Sequence, residues 1–349
     1  MENKGKSGFW LATALGVGAV AAFTILGKNR SKYSFQDKVV LITGGSRGLG
    51  LVLARTLAGE GAKIAICARN VEELARARED LQNRGVEVFE TVCDVRNQSE
   101  VKRMIDAVCN YYGQIDVLVN NAGVIQVGPL EVQTQKDFEN AMAIHFWGAY
   151  YTMSAAIPKM RERGAGKIVN ISSIGGKVSI PHLAPYCASK FALVGLSGAM
   201  RAELAKDNIQ VTTVCPGLMR TGSHVNAVFK GQNEKEFAWF SIGNALPVSS
   251  ITAERAAEQI VEACRRGDAE LTISIQAQFA TKVNALFPEL TAEILQLVNR
   301  LLPEAGGIGK NYALGKESQS FVSPSFLTAQ LDEESYRNNE LKPGEKIAR

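Results

Sequence analysis

Residues 39–50 read VVLITGGSRGLG, and this stretch decides the fold. Its first five residues, Val39–Thr43, form an almost wholly apolar run, which is typical of a strand buried on both faces of a sheet. Glycines at Gly44, Gly48 and Gly50 follow, and a predicted helix comes next. Glycine has no Cβ, so such a turn approaches a ligand closely, and the N-terminus of the helix offers free N–H groups to an anion. The stretch therefore predicts a strand–turn–helix unit that binds phosphates.

Further apolar runs repeat this arrangement along the chain. Six more predicted strands alternate with predicted helices: KIAICA, VEVFETV, IDVLV, KIVNI, IQVTTV and AELTIS. Such alternation predicts an α/β fold of the Rossmann-like type, a doubly wound parallel sheet with helices on both faces. Ligands of these sheets bind at the carboxyl ends of the strands. We therefore expect residues 36–275 to form one catalytic domain with its site at that edge.

The N-terminal part of the chain is the most apolar. Residues 8–27, GFWLATALGVGAVAAFTILG, carry no charge, and twenty helical residues span about 30 Å, the hydrocarbon thickness of a bilayer. A cleaved signal peptide and a buried core helix are the alternatives. Basic residues flank both ends of the run, so charge alone leaves the orientation open. We expect residues 1–30 to be a single-pass transmembrane helix that anchors a cytoplasmic catalytic domain to a membrane.

Two segments follow the alternating pattern. Apolar residues recur at near-helical spacing over residues 276–305, which predicts a helical extension that packs on the body or on a partner, with membrane contact as the alternative. Pro288 is expected to break or kink this extension. Residues 306–349 are polar and punctuated by Gly, Pro and Ser, and we expect them to form a loosely packed tail.

Composition argues against several classes of function. The net charge is only +4, and the body holds no basic block that would track nucleic acid. The six cysteines form no CxxC pair and there are only three histidines, so we expect no metal site. The expected partners are a small-molecule substrate and a membrane, and a homo-oligomer is compatible with the sequence.

A second motif, YCASK at residues 186–190, places Tyr186 and Lys190 on one face of a predicted helix. A phenol has a pKa of about 10, and a nearby ammonium stabilises the phenolate. Tyr186 can then give a proton to a carbonyl or take one from an alcohol. Tyr312 and Lys316 have the same spacing but follow no predicted strand, so the context of the first pair carries the prediction.

The glycine turn and YCASK, in this order, resemble the short-chain dehydrogenase/reductase family over about residues 38–274. The resemblance implies a nicotinamide cofactor and an oxidoreductase that acts on CH–OH or C=O groups. It also implies a catalytic serine, tyrosine and lysine, which correspond to Ser173, Tyr186 and Lys190. Ser172 ranks below Ser173, because strand alternation aims it at the other face.

Further motifs that fit this resemblance indicate where the cofactor binds. CDV follows the third strand, NNAG ends the fourth, and a PG pair with a downstream threonine ends the sixth. The expected cofactor contacts are Gly44, Ser46, Arg47, Gly48, Leu49, Gly50, Arg69, Asp94, Val95, Asn121, Ala122, Gly123, Tyr186, Lys190, Pro216, Gly217 and Thr221.

Charge at the end of the second strand favours NADP(H). An acid at that position would accept a hydrogen bond from a ribose 2′-hydroxyl and repel a 2′-phosphate. The position is Ala68, followed by Arg69, and Arg47 lies in the glycine turn. Two guanidinium groups can bind a 2′-phosphate through charge-assisted hydrogen bonds, so we expect NADP(H) as the cofactor.

One position departs from the family pattern. In the long central helix the family usually has an asparagine that holds a water linking the lysine to solvent. Here the stretch is IHFWG, and His145 takes that place. An imidazole can donate and accept a hydrogen bond, so we expect His145 to hold this water as a fourth catalytic residue. A packed histidine without a proton role is the alternative.

The sequence as a whole predicts a membrane-tethered oxidoreductase that transfers a hydride between NADP(H) and a lipophilic carbonyl or alcohol. The lipophilic substrate is suggested by apolar residues in the segment after the sixth strand: Met219, Val225, Val228, Phe229, Phe237, Trp239, Phe240 and Ile242. Two alternatives stay open. One is a catalytically idle NADP-binding scaffold or sensor at a membrane, and the other is an epimerase or dehydratase on the same fold.

Overall fold

The computed structural model describes residues 33–245, 250–320, 328–342 and 344–345. The predicted membrane anchor over residues 1–30 lies outside the described residues. Within the described part, no helix is both long and apolar enough to cross a membrane.

Seven parallel strands form the central sheet, in the order β11-β7-β6-β4-β1-β2-β3. Their bounds are β1 (Val39–Thr43), β2 (Lys63–Ala68), β3 (Val88–Val92), β4 (Val117–Asn120), β6 (Gly166–Ile171), β7 (Ile209–Pro216) and β11 (Glu270–Ile273). Five shorter strands lie outside this sheet: β5 (Gln126–Val127), β8 (Leu218–Arg220), β9 (Val228–Phe229), β10 (Ser250–Thr252) and β12 (Ala313–Leu314). The strand order reverses direction between β1 and β4, which opens a crevice at the carboxyl ends of those two strands.

Helices cover both faces of the sheet. They are α1 (Gly48–Gly59), α2 (Val71–Gln82), α3 (Gln98–Tyr112), α4 (Gln135–Met142), α5 (Gly148–Arg163), α6 (Ala184–Leu204), α7 (Asn233–Ala245), α8 (Ala253–Arg266), α9 (Ile275–Leu286), α10 (Pro288–Asn299) and α11 (Ala329–Arg337). Helix α1 packs against α8, and α3 packs against α5. All five residues of β1 are buried between these layers, as its apolar sequence predicts. The predicted Rossmann-like α/β fold is confirmed.

The long central helix that contains the IHFWG stretch is interrupted. A π-helical turn, Ala143–Trp147, separates α4 from α5. Such a turn inserts an extra residue into the helix and is found most often at functional sites. His145 lies within this turn and is buried, with only 2% of its surface exposed.

The helical extension is two helices rather than one. The chain turns at Phe287 (φ −135°, ψ 65°), and Pro288 begins α10, where its missing N–H costs nothing. The apolar face expected to pack is instead largely exposed. Side chains at least 49% exposed in this region are Ile275, Phe279, Leu286, Phe287, Leu290, Ile294, Leu297 and Leu301.

The expectation of a loosely packed tail is wrong for its described part. Strand β12 pairs with β9, and α11 buries Leu331 and Ser335 against the body. Polar composition misled the prediction, because the buried polar groups here are hydrogen-bonded. The Ser335 hydroxyl donates to the carbonyl of Gly222 (3.1 Å), and the Asn338 amide donates to the carbonyl of Thr221 (3.3 Å).

Candidate active site

The glycine turn after β1 is built so tightly that side chains are excluded. Gly44 and Gly48 have φ angles of +64° and +55°, a region that L-residues with a side chain avoid. A Cβ on Gly50 would lie 2.1 Å from the Gly44 carbonyl oxygen. The side-chain amide of Asn121, at the end of β4, donates to the carbonyls of Thr43 and Gly44, both at 3.1 Å. The turn is therefore fixed against the neighbouring strand at the N-terminus of α1.

A cavity of about 700 Å³ lies along this edge of the sheet. Predicted site residues that line it are Gly44, Ser46, Arg47, Gly48, Leu49, Arg69, Asp94, Val95, Asn121, Ala122, Gly123, His145, Tyr186, Lys190 and Thr221. Gly50, Ser173, Pro216 and Gly217 lie outside its wall. Since the lining comes from the ends of several strands, the sheet brings together residues that are far apart in sequence.

The Tyr186 and Lys190 side chains share one wall of the cavity. The Lys190 ammonium lies 5.7 Å from the centre of the Tyr186 ring and donates to the carbonyl of Ile171 at 2.9 Å. Burial lowers the pKa of Lys190 to about 7 and raises the pKa of Tyr186 to about 12. Burial thus disfavours the charged form of both groups, and each would ionise more easily if the other carried its charge.

The two serines after β6 have separate contacts. The Ser172 hydroxyl is buried and donates to the carbonyl of Lys190 at 3.0 Å. The Ser173 hydroxyl accepts a hydrogen bond from the Gly175 amide. Its closeness to the Tyr186 hydroxyl works against the burial that raises the pKa of Tyr186. Ser172 lines the cavity, whereas Ser173 influences the phenol of Tyr186, so the catalytic role of Ser173 stays a prediction.

Comparison with known proteins agrees with this geometry. Residues 38–230 match the family model for short chain dehydrogenases. The chain belongs to the short-chain dehydrogenase family. The resemblance predicted from the sequence is thereby confirmed, and membership makes the chain an oxidoreductase of this family. A putative ketoacyl reductase of Streptomyces coelicolor is 39% identical over 187 residues, which are 53% of this chain and 72% of that protein.

Solved structures of the family share the fold. A variant of actinorhodin polyketide ketoreductase, crystallised with NADPH, matches 68% of this chain and 95% of its own at 31% identity, with a TM-score of 0.62. L-sorbose reductase from Gluconobacter frateurii, crystallised with NADPH and L-sorbose, matches 70% of this chain and 97% of its own at 27% identity, with a TM-score of 0.63.

The His145 imidazole has protein partners at both nitrogens. The Val124 amide donates to Nε2 (3.1 Å), and Nδ1 lies 2.7 Å from the Ser189 hydroxyl. That hydroxyl donates to the Tyr186 carbonyl, so Nδ1 carries the proton and donates to it. Burial, with the nearby Lys190 charge, holds the pKa of His145 well below its usual value. Neither nitrogen is free to hold the expected water, so the geometry favours a positioning role, and the proton relay stays a prediction.

The Arg47 guanidinium, expected at a 2′-phosphate, already faces two carboxylates. Its Nε lies 3.5 Å from Glu73, and its Nη1 lies 3.2 Å from Glu340. Both acids line the cavity, and sequence reasoning missed both. Glu73 could have been found from its place in the first turn of α2, close after Arg69, whereas nothing local in the sequence points to Glu340. Asp94 is also engaged, since it pairs with Arg96 at 2.6 Å.

The apolar segment after β7 is mainly buried in a cluster that it shares with Val127, Leu183 and Cys187. Of its eight apolar residues named above, only Met219 and Val228 line the cavity. Val225, Phe229, Phe237 and Phe240 are buried with little or no exposed surface. The apolar wall of the cavity comes instead from Val124, Ile125, Ala227 and Leu314. Most apolar residues of the segment therefore do not bear on the substrate, although the cavity is apolar on this side.

Proposed function

We propose that the chain is an NADP(H)-dependent oxidoreductase that transfers a hydride between the cofactor and the carbonyl or alcohol carbon of an apolar substrate. The observation that carries the proposal is a single cavity with the glycine turn on one wall and Tyr186 with Lys190 on another. A catalytically idle scaffold would have no use for a buried lysine beside that phenol, because burying an ammonium is costly.

The residues present fit a nicotinamide dinucleotide. The cavity is long enough to run from Arg69 past the glycine turn to Lys190. The phosphates would lie at the N-terminus of α1, where Gly44 and Gly48 have no side chain of their own to keep a ligand from the backbone. When bound, the nicotinamide supplies or accepts the hydride. The NADPH that accompanies the two solved relatives supports the same assignment.

Side chains of the protein transfer the proton and form hydrogen bonds to the substrate oxygen. The Tyr186 hydroxyl donates its proton to a carbonyl oxygen in reduction and receives it from an alcohol in oxidation. Ser173, close to that phenol, donates a hydrogen bond to the same oxygen. The Lys190 ammonium lowers the cost of the phenolate that forms in the reductive direction.

Preference for NADP(H) over NAD(H) rests on two cations. Arg69 is exposed at the mouth of the cavity, after the neutral Ala68, and Arg47 lies in the glycine turn. A charge-assisted pair contributes about 1.5–3 kcal/mol, equivalent to about ten- to a hundred-fold in affinity. The acids beside Arg47 reduce its share, so we place the larger part of the preference on Arg69.

We further propose that the enzyme works at a membrane, with its catalytic domain in the cytoplasm. The uncharged run over residues 8–27 and the exposed apolar side chains of α9 and α10 support this. A lipid environment would also supply the apolar substrate that the wall formed by Val124, Ile125 and Leu314 favours.

The test is turnover with purified protein. NADPH consumption is followed with a panel of ketones of increasing chain length, beside matched samples with NADH. The proposal expects consumption with NADPH that rises as the substrate becomes more apolar. Absence of consumption with every ketone, together with absence of NADP⁺ reduction with the matching alcohols, would contradict it.

A further inference from the structure

The C-terminal segment Asn338–Glu340 contacts the turn that we assign to the phosphates of the cofactor. The Gly48 amide donates to the Asn338 carbonyl at 2.9 Å. The Asn339 side-chain amide donates to the carbonyl of Ser46 at 2.8 Å, across 293 positions of sequence. An N–H group at the start of α1, one of those expected to point at a phosphate, is therefore taken by the protein's own tail.

The carboxylate of Glu340 lies over Gly48 in the turn. Its side chain is buried, one oxygen lies 3.2 Å from Arg47, and Asn226 donates to the same oxygen at 2.8 Å. The other oxygen is 2.5 Å from the point where a Cβ on Gly48 would stand. Glu340 thus fills the space that the missing side chain opens to a ligand.

The electrostatics of this contact match those of a bound anion. The N-terminus of a helix carries a partial positive charge, and Arg47 adds a full one. Glu73 also lies beside Arg47, so the guanidinium is already compensated by two acids. A phosphate entering the same space would meet the Glu340 carboxylate at close range, and like charges at such a distance repel strongly.

The segment is held in place by contacts away from the turn. Arg55 donates to the Asn338 side chain at 3.1 Å, and Arg76 donates to the Asn339 side chain at 2.6 Å. A Cβ on Gly222 would lie 2.4 Å from the Cα of Ser335, so α11 sits directly on that glycine. These contacts give the segment a defined docking site on the catalytic domain.

We propose that Glu340 is an internal competitor of the cofactor. Its carboxylate takes the phosphate-binding turn and leaves Arg47 and Gly48 when the phosphates of a nicotinamide dinucleotide bind. The C-terminal tail thereby sets the affinity for the cofactor. The inference rests on the cofactor assignment proposed above and goes beyond it, because it gives the tail a role in cofactor exchange.

The first test measures NADPH affinity in the full chain. Glu340→Gln keeps the shape of the side chain and its bond from Asn226 but removes the charge, and its melting temperature checks the fold. We expect it to bind NADPH at least about tenfold more tightly than the wild type. The matched control is Glu345→Gln, which removes a charge from the same tail at a residue paired with Lys316, and its affinity should stay within about twofold of the wild type. Equal or weaker binding by Glu340→Gln would overturn the inference.

The second test follows the segment itself. The Glu340 amide donates to the Ser335 carbonyl at 2.8 Å, so its hydrogen exchange reports whether the segment is docked. Saturating NADPH should speed exchange over residues 338–341 in the wild type. Slower exchange would show that the tail closes over the cofactor, which contradicts displacement.

These readouts need no turnover, so the two proposals fail separately. Tighter binding by Glu340→Gln in a protein that reduces no ketone would support the competitor role and count against the proposed reaction. Turnover without any effect of Glu340→Gln would count against the competitor role alone. If neither the wild type nor Glu340→Gln bound NADPH, both the cofactor assignment and the inference that rests on it would be contradicted.

Discussion

The neighbours of His145 constrain its imidazole at both ring nitrogens. We expect His145→Ala to lower kcat about tenfold, because Val124 and Ser189 lose a shared partner beside Tyr186. His145→Asn should recover much of that rate, since an amide offers one acceptor and one donor.

The pH–rate profile separates positioning from relay for His145. Burial and the Lys190 charge keep the imidazole neutral, so the profile of His145→Asn should match that of the wild type between about pH 6 and pH 9. Loss of an ionisation near neutrality in the asparagine variant would instead support the proton relay predicted from the sequence.

The lowered pKa of Lys190 indicates that burying this catalytic lysine reduces the stability of the folded protein. Burial lowers the pKa from 10.5 to about 7, so between these values the unfolded chain binds more protons than the folded one at this group. The contribution of Lys190 to stability therefore rises with pH across that window. We expect inactive Lys190→Met to melt at least about 2 °C above the wild type near pH 7, with the difference shrinking towards about pH 9.5.

The control for this prediction is Lys206→Met, which alters an exposed lysine. Its melting temperature should follow that of the wild type at every pH. A Lys190→Met protein less stable than the wild type near neutrality would show that the bond from Lys190 to the Ile171 carbonyl outweighs the cost of burial.

Among the elements, we expect the glycine turn between β1 and α1 to be the most sensitive to substitution. We expect Gly50→Ala to abolish NADPH binding and lower the melting temperature, because its Cβ would lie 2.1 Å from the Gly44 carbonyl oxygen and 2.6 Å from the Asn121 amide. Gly59→Ala, in the last turn of the same helix, meets nothing within 4 Å and should bind NADPH normally. Normal binding by both variants would show that the turn is not the phosphate site.

Elements were predictable from sequence where their signals are local. The apolar run of β1, the glycines after it and the spacing of Tyr186 and Lys190 each describe a few neighbouring residues, and the structure reproduces them. The π turn at Ala143–Trp147 was not predictable, because it preserves helical periodicity on either side. The packing of α11 was missed for a related reason: its buried polar residues resemble those of a solvated tail until their main-chain partners are known.

At the scale of the whole molecule, the least predictable contacts are those between distant parts of the chain. Glu340 contacts Arg47 and Asn226, which lie far from it in the sequence, because the tail packs back onto the catalytic domain. No sequence pattern within the tail predicts these contacts of Glu340, since a lone acid in a polar stretch is usually solvated. Sequence reasoning thus found most residues that line the cavity but not the acids Glu73 and Glu340 beside them.

The predicted membrane anchor over residues 1–30 is also a property of the whole molecule, and it is tested by sedimentation. We expect the full chain to sediment with membranes and a chain lacking residues 1–30 to stay in the supernatant with its reductase activity intact, because the described catalytic unit begins at Phe35. Full-length protein that stays in the supernatant, or a secreted form that begins near residue 22, would contradict the anchor.

The central claim is that Tyr186 and a nicotinamide cofactor act together on a carbonyl, and isotope transfer tests it most directly. NADPH carrying deuterium at the transferable position is incubated with an apolar ketone, and the alcohol is analysed by mass spectrometry. The account predicts that the wild type and Tyr312→Phe place one deuterium on the alcohol carbon, while Tyr186→Phe binds NADPH but yields no labelled product. Labelled alcohol from Tyr186→Phe at the wild-type rate, or unlabelled alcohol from the wild type, would contradict it.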